Sequence, residues 1–291
     1  MSRLALACEY DGTDFVGWQA QANGRSVQAA LAEAISAVAD EPVGVHGAGR
    51  TDAGVHADCQ IAHFDTRAAR TPRQWLLGIN SNLPDDVSVQ AVVPVPASFD
   101  ARRSALWREY RYTIACRQTR PAQDRRFVWW LRDTLDCDAM TAAASAWLGE
   151  RDFSAFRAAQ CQSTTPMRRM LGIAIAKAPD RLELRFRANA FLYHMVRNLV
   201  GAMVAIGRGE QPVAWARELI ASRDRSRGAA TAPAQGLSLA AVGYPESFGV
   251  PIVPIGVRPL SGSVPEPERG LTPSSTASPT PSAPSSTRKG L

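Results

Sequence analysis

Two stretches of this chain repeat one order of backbone signals, and that repetition limits the folds open to it. In the first, Arg3–Glu9 alternates Leu4, Leu6 and Cys8, the period of a strand with one covered face. Ser26 stands where a helix needs its cap, ahead of Val27, Leu31, Ile35 and Val38 at helical spacing. Val43–His46 and Cys59–Phe64 read as two strands joined by a glycine-rich loop. Thr71-Pro72 opens a second helix through Ile79, with proline at its tolerated first position. Val87–Val93 is a further strand.

The second stretch follows the same order. Trp107–Ala115 is a strand, and Asp138–Leu148 a helix ended by Gly149. Met170–Lys177 and Leu182–Ala188 form a hairpin around Ala178-Pro179-Asp180. A helix over Ala190–Ile206 and a strand over Gly236–Val242 complete it, with an extra helix near Pro212–Ala221. The order β-α-β-β-α-β is the ferredoxin-like arrangement. The expectation is an α+β fold: two ferredoxin-like domains, 1–100 and 101–248, in pseudo-twofold arrangement around a central cleft. Such a cleft is the default ligand site. Residues 249–291 are rich in Pro, Ser and Thr and poor in apolar side chains, and read as a disordered tail.

Composition narrows the partners. The chain has 291 residues, 45% of them apolar, and a net charge of +6. It is long enough for real cores, and no apolar run reaches the length of a membrane span. Five cysteines without a Cys-x-x-Cys pair argue against a disulfide framework or zinc site and for the cytoplasm. Only Lys177 and Lys289 are lysines, so part of the arginine excess can reflect nucleotide composition. The arginines nevertheless cluster: Arg102-Arg103, Arg108-Arg111, Arg117–Arg126, Arg168-Arg169 and Arg223–Arg227. Phe99, Trp107, Tyr110 and Tyr112 lie beside them. Positive grooves with stacking side chains suit looped RNA, whereas solvated arginine faces would look the same in composition.

The loop Gly47-Ala48-Gly49-Arg50-Thr51-Asp52-Ala53-Gly54-Val55-His56 holds the chemistry. A carboxylate on a tight loop beside a fixed cation can act as nucleophile or general base; it can equally be a surface aspartate in a turn. Tyr110 shares a strand face with Tyr112 and Ile114, so it reads as a core tyrosine or as a site residue. Arg197 lies off the apolar stripe of Phe191, Met195, Leu199 and Ala202, as a solvated arginine or as a partner for a buried carboxylate. His46, His56 and His63 with Asp65 raise a metal-dependent hydrolase, but their spacing fits no compact ligand set. Gly47-x-Gly49 lacks the remaining features of a dinucleotide loop or P-loop. A non-catalytic RNA-binding protein is the other alternative.

Arg50-Thr51-Asp52-Ala53-Gly54-Val55-His56 resembles the signature of the TruA family of tRNA pseudouridine synthases. The resemblance runs from about residue 3 to 245. It includes Glu9–Thr13, Gly17-Trp18-Gln19, Ser26-Val27-Gln28, Asn80–Pro84, Phe99–Arg102 and Tyr110-Arg111-Tyr112. It continues through Asp152-Phe153, Phe156-Arg157, Gln160–Ser163, Asn189-Ala190-Phe191, His194–Asn198 and Gly236-Leu237.

The resemblance implies an isomerase that turns uridine into pseudouridine at positions 38, 39 and 40 of the tRNA anticodon stem-loop, with no cofactor or metal. It also implies a homodimer. Asp52 matches the family nucleophile, Arg197 its cationic partner, and Tyr110 the residue that stacks on the base and handles the C5 proton. Arg50 matches the arginine that fills the gap left by the flipped base. Leu239 is expected beside the base. Arg70, Phe99, Asp100, Ala101, Arg102, Arg103, Gln160, Cys161, Gln162, Ser163 and Thr164 align with segments that contact tRNA. Thr164 stands where many relatives carry arginine, a gap that Arg168 and Arg169 are placed to fill.

Overall fold

Ser26 and Thr71 cap the first two helices as their residue types require. The computed structural model describes residues 1–250, so the expected tail lies, from residue 251, outside the described residues. Ser26 Oγ accepts the N–H of Ala29 at the head of α1 (Val27–Ala39). Thr71 and Gln74 form a reciprocal capping box on α2 (Pro72–Asn82). Around these helices run β1 (Ser2–Tyr10), β2 (Val45–Gly47), β3 (His56–Thr66) and β4 (Val87–Val95). Leu4 to Cys8 are all buried, so β1 is covered on both faces rather than on the one face that alternation predicts.

The second half supplies β5 (Trp107–Cys116), α3 (Cys137–Ala144), β8 (Met167–Lys177), β9 (Arg181–Ala188), α4 (Met195–Gly207), α5 (Trp215–Ser222) and β10 (Leu237–Gly243). Two short strands, β6 (Trp129–Leu131) and β7 (Gly149–Asp152), complete it. Neither announces itself, since Trp-Trp-Leu and Gly-Glu-Arg-Asp are too short to carry a period. The helix expected to reach Leu148 ends at Ala144 and gives way to a 3-10 turn over Ser145–Trp147.

The helix expected from Ala190 begins only at Met195. Asn189 Oδ1 takes the N–H of Ala190, and His194 adopts a left-handed backbone (φ 59°), so residues 190–192 are irregular and Tyr193-His194 form a turn. α4 is buried along almost its whole length and packs against α3 and the 3-10 turn at Ser154–Phe156.

The fold is α+β, and all ten strands among the described residues lie in one mixed sheet. The order is β4-β1-β3-β10-β5-β9-β8-β7, with β2 on β3 and β6 on β5. The halves meet where β10 enters between β3 and β5. It runs parallel to β3 through Ser238↔His56 and Leu239↔Ala57, and antiparallel to β5 through Leu239↔Tyr110.

Candidate active site

The loop between β2 and β3 is fixed by neighbours on every side. Gly47 admits the Trp18 ring, which a β-carbon would meet at 2.5 Å. Gln60 Nε2 donates to the Gly49 carbonyl at 2.7 Å, and Tyr10 and Thr51 hydroxyl oxygens are 2.8 Å apart. Arg108, on β5, reaches across the seam to the Ala48 carbonyl at 2.9 Å. It is buried, donates also to the carbonyls of Arg102, Ala105 and Asn189, and has no carboxylate partner among the described residues. Burial pushes its proton affinity down from the usual arginine value, and four carbonyl dipoles offset the desolvation of its charge.

These restraints present Asp52 to α4. Arg197 Nη1 lies 3.3 Å from Asp52 Oδ2, and its Nε donates to the Ala232 carbonyl at 2.8 Å. The guanidinium is therefore held in place beside the carboxylate. His194 Nε2 lies 3.4 Å from the same oxygen. All three side chains are mostly buried, with 16–24% of their surface exposed.

Tyr110 is paired with Leu239 across β5 and β10 in the seam, and lies near enough to Asp52 to feel its charge. Tyr110 packs edge-on against Phe191, with ring centroids 5.1 Å apart. Its hydroxyl has no hydrogen-bond partner among the described residues. Burial, reinforced by the Asp52 charge, pushes that hydroxyl above the ordinary tyrosine value. Tyr110 is thus both a buried residue and a neighbour of Asp52, so the two sequence readings are not exclusive. Leu239 is fully buried.

The other expected contacts divide. Arg50 is exposed on the loop, and its Nη1 donates to Gln162 Oε1 at 3.1 Å. This contact joins the Asp52 loop to the segment Gln160–Thr164, where Gln160, Gln162 and Thr164 are exposed and Cys161 and Ser163 half-buried. Arg157 holds that segment through the carbonyls of Cys161 and Ser163. Arg70, Arg102 and Arg103 are exposed, and Asp100 Oδ1 caps the N–H groups of both Arg102 and Arg103. Phe99 and Ala101 are at 0% exposure, Phe99 packed on Tyr244 and Phe248, and offer no surface to a ligand.

Arg168 differs from its expected role. It is buried and donates to the carbonyls of Thr165 and Met167, so it braces the loop from inside and cannot stand in for a surface cation at Thr164. Arg169 remains exposed.

The three histidines are separately occupied. His56 Nδ1 accepts the Gly12 N–H and its Nε2 meets the Arg126 carbonyl at 2.9 Å. His63 Nδ1 accepts the Ala101 N–H, and His46 stacks on His63. Among the described residues no three His, Cys, Asp or Glu side chains are grouped as metal ligands, and no helix is long and apolar enough to cross a membrane.

In the sequence, Arg108 stands out only as part of a charged cluster and His194 only within the resembling run His194–Asn198. The signal for Arg108 was there: it shares the inward parity of Tyr110 and Tyr112. His194 carries no such signal, because its backbone geometry depends on residues distant in sequence.

Fold and site together define an α+β protein with an aspartate-centred site at the seam of one sheet. A family model described as tRNA pseudouridine synthase matches residues 6–102 and 143–245. Tyr110 falls between those two segments. A protein of Klebsiella pneumoniae named "tRNA pseudouridine synthase A" is 48% identical over 254 residues, covering 87% of this chain and 94% of the relative. Proteins of the same name from Xylella fastidiosa and Xanthomonas oryzae are 48% and 49% identical, over 87% and 86% of this chain and 98% of each relative. The chain belongs to the tRNA pseudouridine synthase family.

Proposed function

We propose that this enzyme, which isomerises uridine to pseudouridine in tRNA, does so at Asp52, on uridines 38, 39 and 40 of the anticodon stem-loop. The reaction breaks the N1–C1′ bond, turns the uracil, joins C5 to C1′ and moves the C5 proton, with no net redox change. One observation carries the assignment. Asp52, on a loop of the first half, meets Arg197, on a helix of the second, at 3.3 Å. A fixed cation beside a mostly buried carboxylate compensates its charge and orients it for attack or for prompting elimination.

Each neighbour takes a part in that chemistry. Oδ1 of Asp52 makes no hydrogen bond among the described residues and is the oxygen offered to the ribose. Tyr110 stacks on the flipped uracil, with Leu239 beside it. The upward shift of its hydroxyl disfavours a standing phenolate, so Tyr110 relays the C5 proton, its oxygen accepting that proton as its own passes to solvent, while N1 of the turned uracil takes a proton back from solvent. Arg50 lies on the exposed rim and occupies the space the base vacates, since a planar guanidinium can replace lost stacking. Arg70, Arg102, Arg103 and the segment Gln160–Thr164 form the surrounding tRNA surface.

We read the sheet as two ferredoxin-like units, β1 to β4 and β5 to β10, divided near residue 100. The strand orders β4-β1-β3 with β2 beside β3, and β10-β5-β9-β8, support that reading. The working enzyme is a cytoplasmic homodimer on this reading. Asp52→Asn tests the core of it. The substitution keeps volume and removes the charge, so tritium release from 5-tritiated uridine in tRNA should vanish while tRNA affinity stays within a few-fold. Near-native release by the Asn variant, or a strict metal requirement exposed by EDTA, would reject the assignment.

A further inference from the structure

Arg197 is not alone on Asp52 Oδ2. His194 Nε2 lies 3.4 Å from the same oxygen, which leaves the carboxylate restrained at one oxygen and free at the other. The imidazole is itself constrained. Its backbone is left-handed at φ 59°, a region that side-chain-bearing residues rarely enter. Its ring stacks on Tyr193 with centroids 4.0 Å apart and planes 29° from parallel. Tyr193 is tied on both sides: its N–H points to Cys161 Sγ and its carbonyl accepts the Ala158 N–H at 3.2 Å. The His194 carbonyl accepts the Asn198 N–H in the first turn of α4. Backbone strain and the stack together aim Nε2 at Asp52.

We propose that His194 is a positioning residue for Asp52: its neutral ring donates Nε2–H to Oδ2, holds Oδ1 toward the ribose, and on protonation becomes a second cation that ties the carboxylate and stops turnover. The inference rests on Asp52 being the reacting carboxylate. The charged groups facing the ring are Asp52, Arg197 and Arg225. Burial, helped by the two arginines and opposed by Asp52, lowers the proton affinity of the imidazole, so the neutral donor prevails at neutral pH. The 3.4 Å separation is looser than a formed hydrogen bond, as is common for catalytic groups before substrate closes on them.

Single-turnover tritium release, followed against pH together with tRNA affinity, tests this in the full-length protein. Wild type should lose rate on the acid side at a midpoint below the ordinary imidazole value. His194→Gln places a non-titrating amide donor at similar reach. It should keep most of the neutral-pH rate and lose that acid limb. His194→Ala should fall about tenfold to a hundredfold across the range, the loss expected for a hydrogen bond to a charged group, with affinity unchanged. A glutamine variant that retains the wild-type acid limb, or is as slow as the alanine variant, overturns the proposal; so does an alanine variant at wild-type rate. Asp52→Asn in the same assay separates the failures. If it is inactive while His194→Ala is not impaired, only the role of His194 falls; if it is active, the Asp52 assignment falls first.

Discussion

Gly17 passes so close to Thr51 that a β-carbon on it would sit 2.6 Å from the Thr51 carbonyl oxygen. The same oxygen accepts the N–H of Trp18 at 3.1 Å. The segment after β1 thus presses directly on the residue before Asp52. Gly17 also has φ 110°, which a side chain opposes. Gly17→Ala should cost about 1–3 kcal/mol of stability and push Asp52 away from Arg197. Urea unfolding and single-turnover rates measured together should show both losses, with tRNA affinity the least changed.

Tyr110→Phe should lower turnover and leave stability intact. The hydroxyl has no hydrogen-bond partner among the described residues, so its removal strands no buried donor or acceptor. The ring, its packing on Phe191 and its stacking surface all remain. Native turnover in this variant would remove Tyr110 from proton handling. A clear loss of unfolding free energy would instead reveal a structural role for the hydroxyl.

Arg50 and Arg102 should fail in different ways. Arg50→Ala removes the group proposed to fill the vacated stack, at a cost of a few kcal/mol in the catalytic step. A tRNA whose target uridine is already unstacked should partly rescue it. Arg102→Ala should mainly weaken binding and reduce its salt dependence by about one counterion, and the unstacked substrate should not help. Equal behaviour of the two variants on that substrate would make Arg50 an ordinary phosphate contact.

His63 should make the protein less stable in mild acid. Burial first, then Arg3, holds its imidazole below the ordinary value of 6.5. Its Nδ1 already accepts the Ala101 N–H, so a proton there meets a donor. The folded state binds this proton more weakly than the unfolded state, so the stabilisation is complete above about pH 6.5 and declines as pH falls below it. His63→Asn supplies an acceptor in place of Nδ1 without a titration. Unfolding free energies at about pH 7.5 and 5.5 should differ less in the variant than in wild type.

The helix caps and most strands were readable because they are local. Ser26, Thr71-Pro72 and the alternation along β5 obey rules that span a few residues. The start of α4 was not readable, since the left-handed His194 that delays it is packed against Tyr193 and faces Asp52, from a segment far away in the chain. Asp52 stood out by its glycine-rich loop. By local pattern Arg197 is only an arginine off an apolar stripe, because its partner lies 145 positions away; the family resemblance alone pairs it with Asp52. Arg168 and Arg169 look alike in sequence, yet one is buried and one exposed. The alternation of β8 turns Arg168 inward with Met170 and Arg169 outward, and the carbonyls of Thr165 and Met167 receive the inward cation.

The placement of β10 gives the enzyme an order of assembly. It is the last of the strands among the described residues, yet it occupies the middle of the sheet, between β3 and β5. A chain emerging from the ribosome, folding as it is made, exposes Asp52, Tyr110 and Arg197 in turn while the gap between their supports is still open. Leu239 and the seam arrive only when synthesis has reached β10. Nascent chains therefore hold Asp52, His194 and Arg197 before the strand that joins their supports exists, and the proposed site closes only once residues 237–243 have been made.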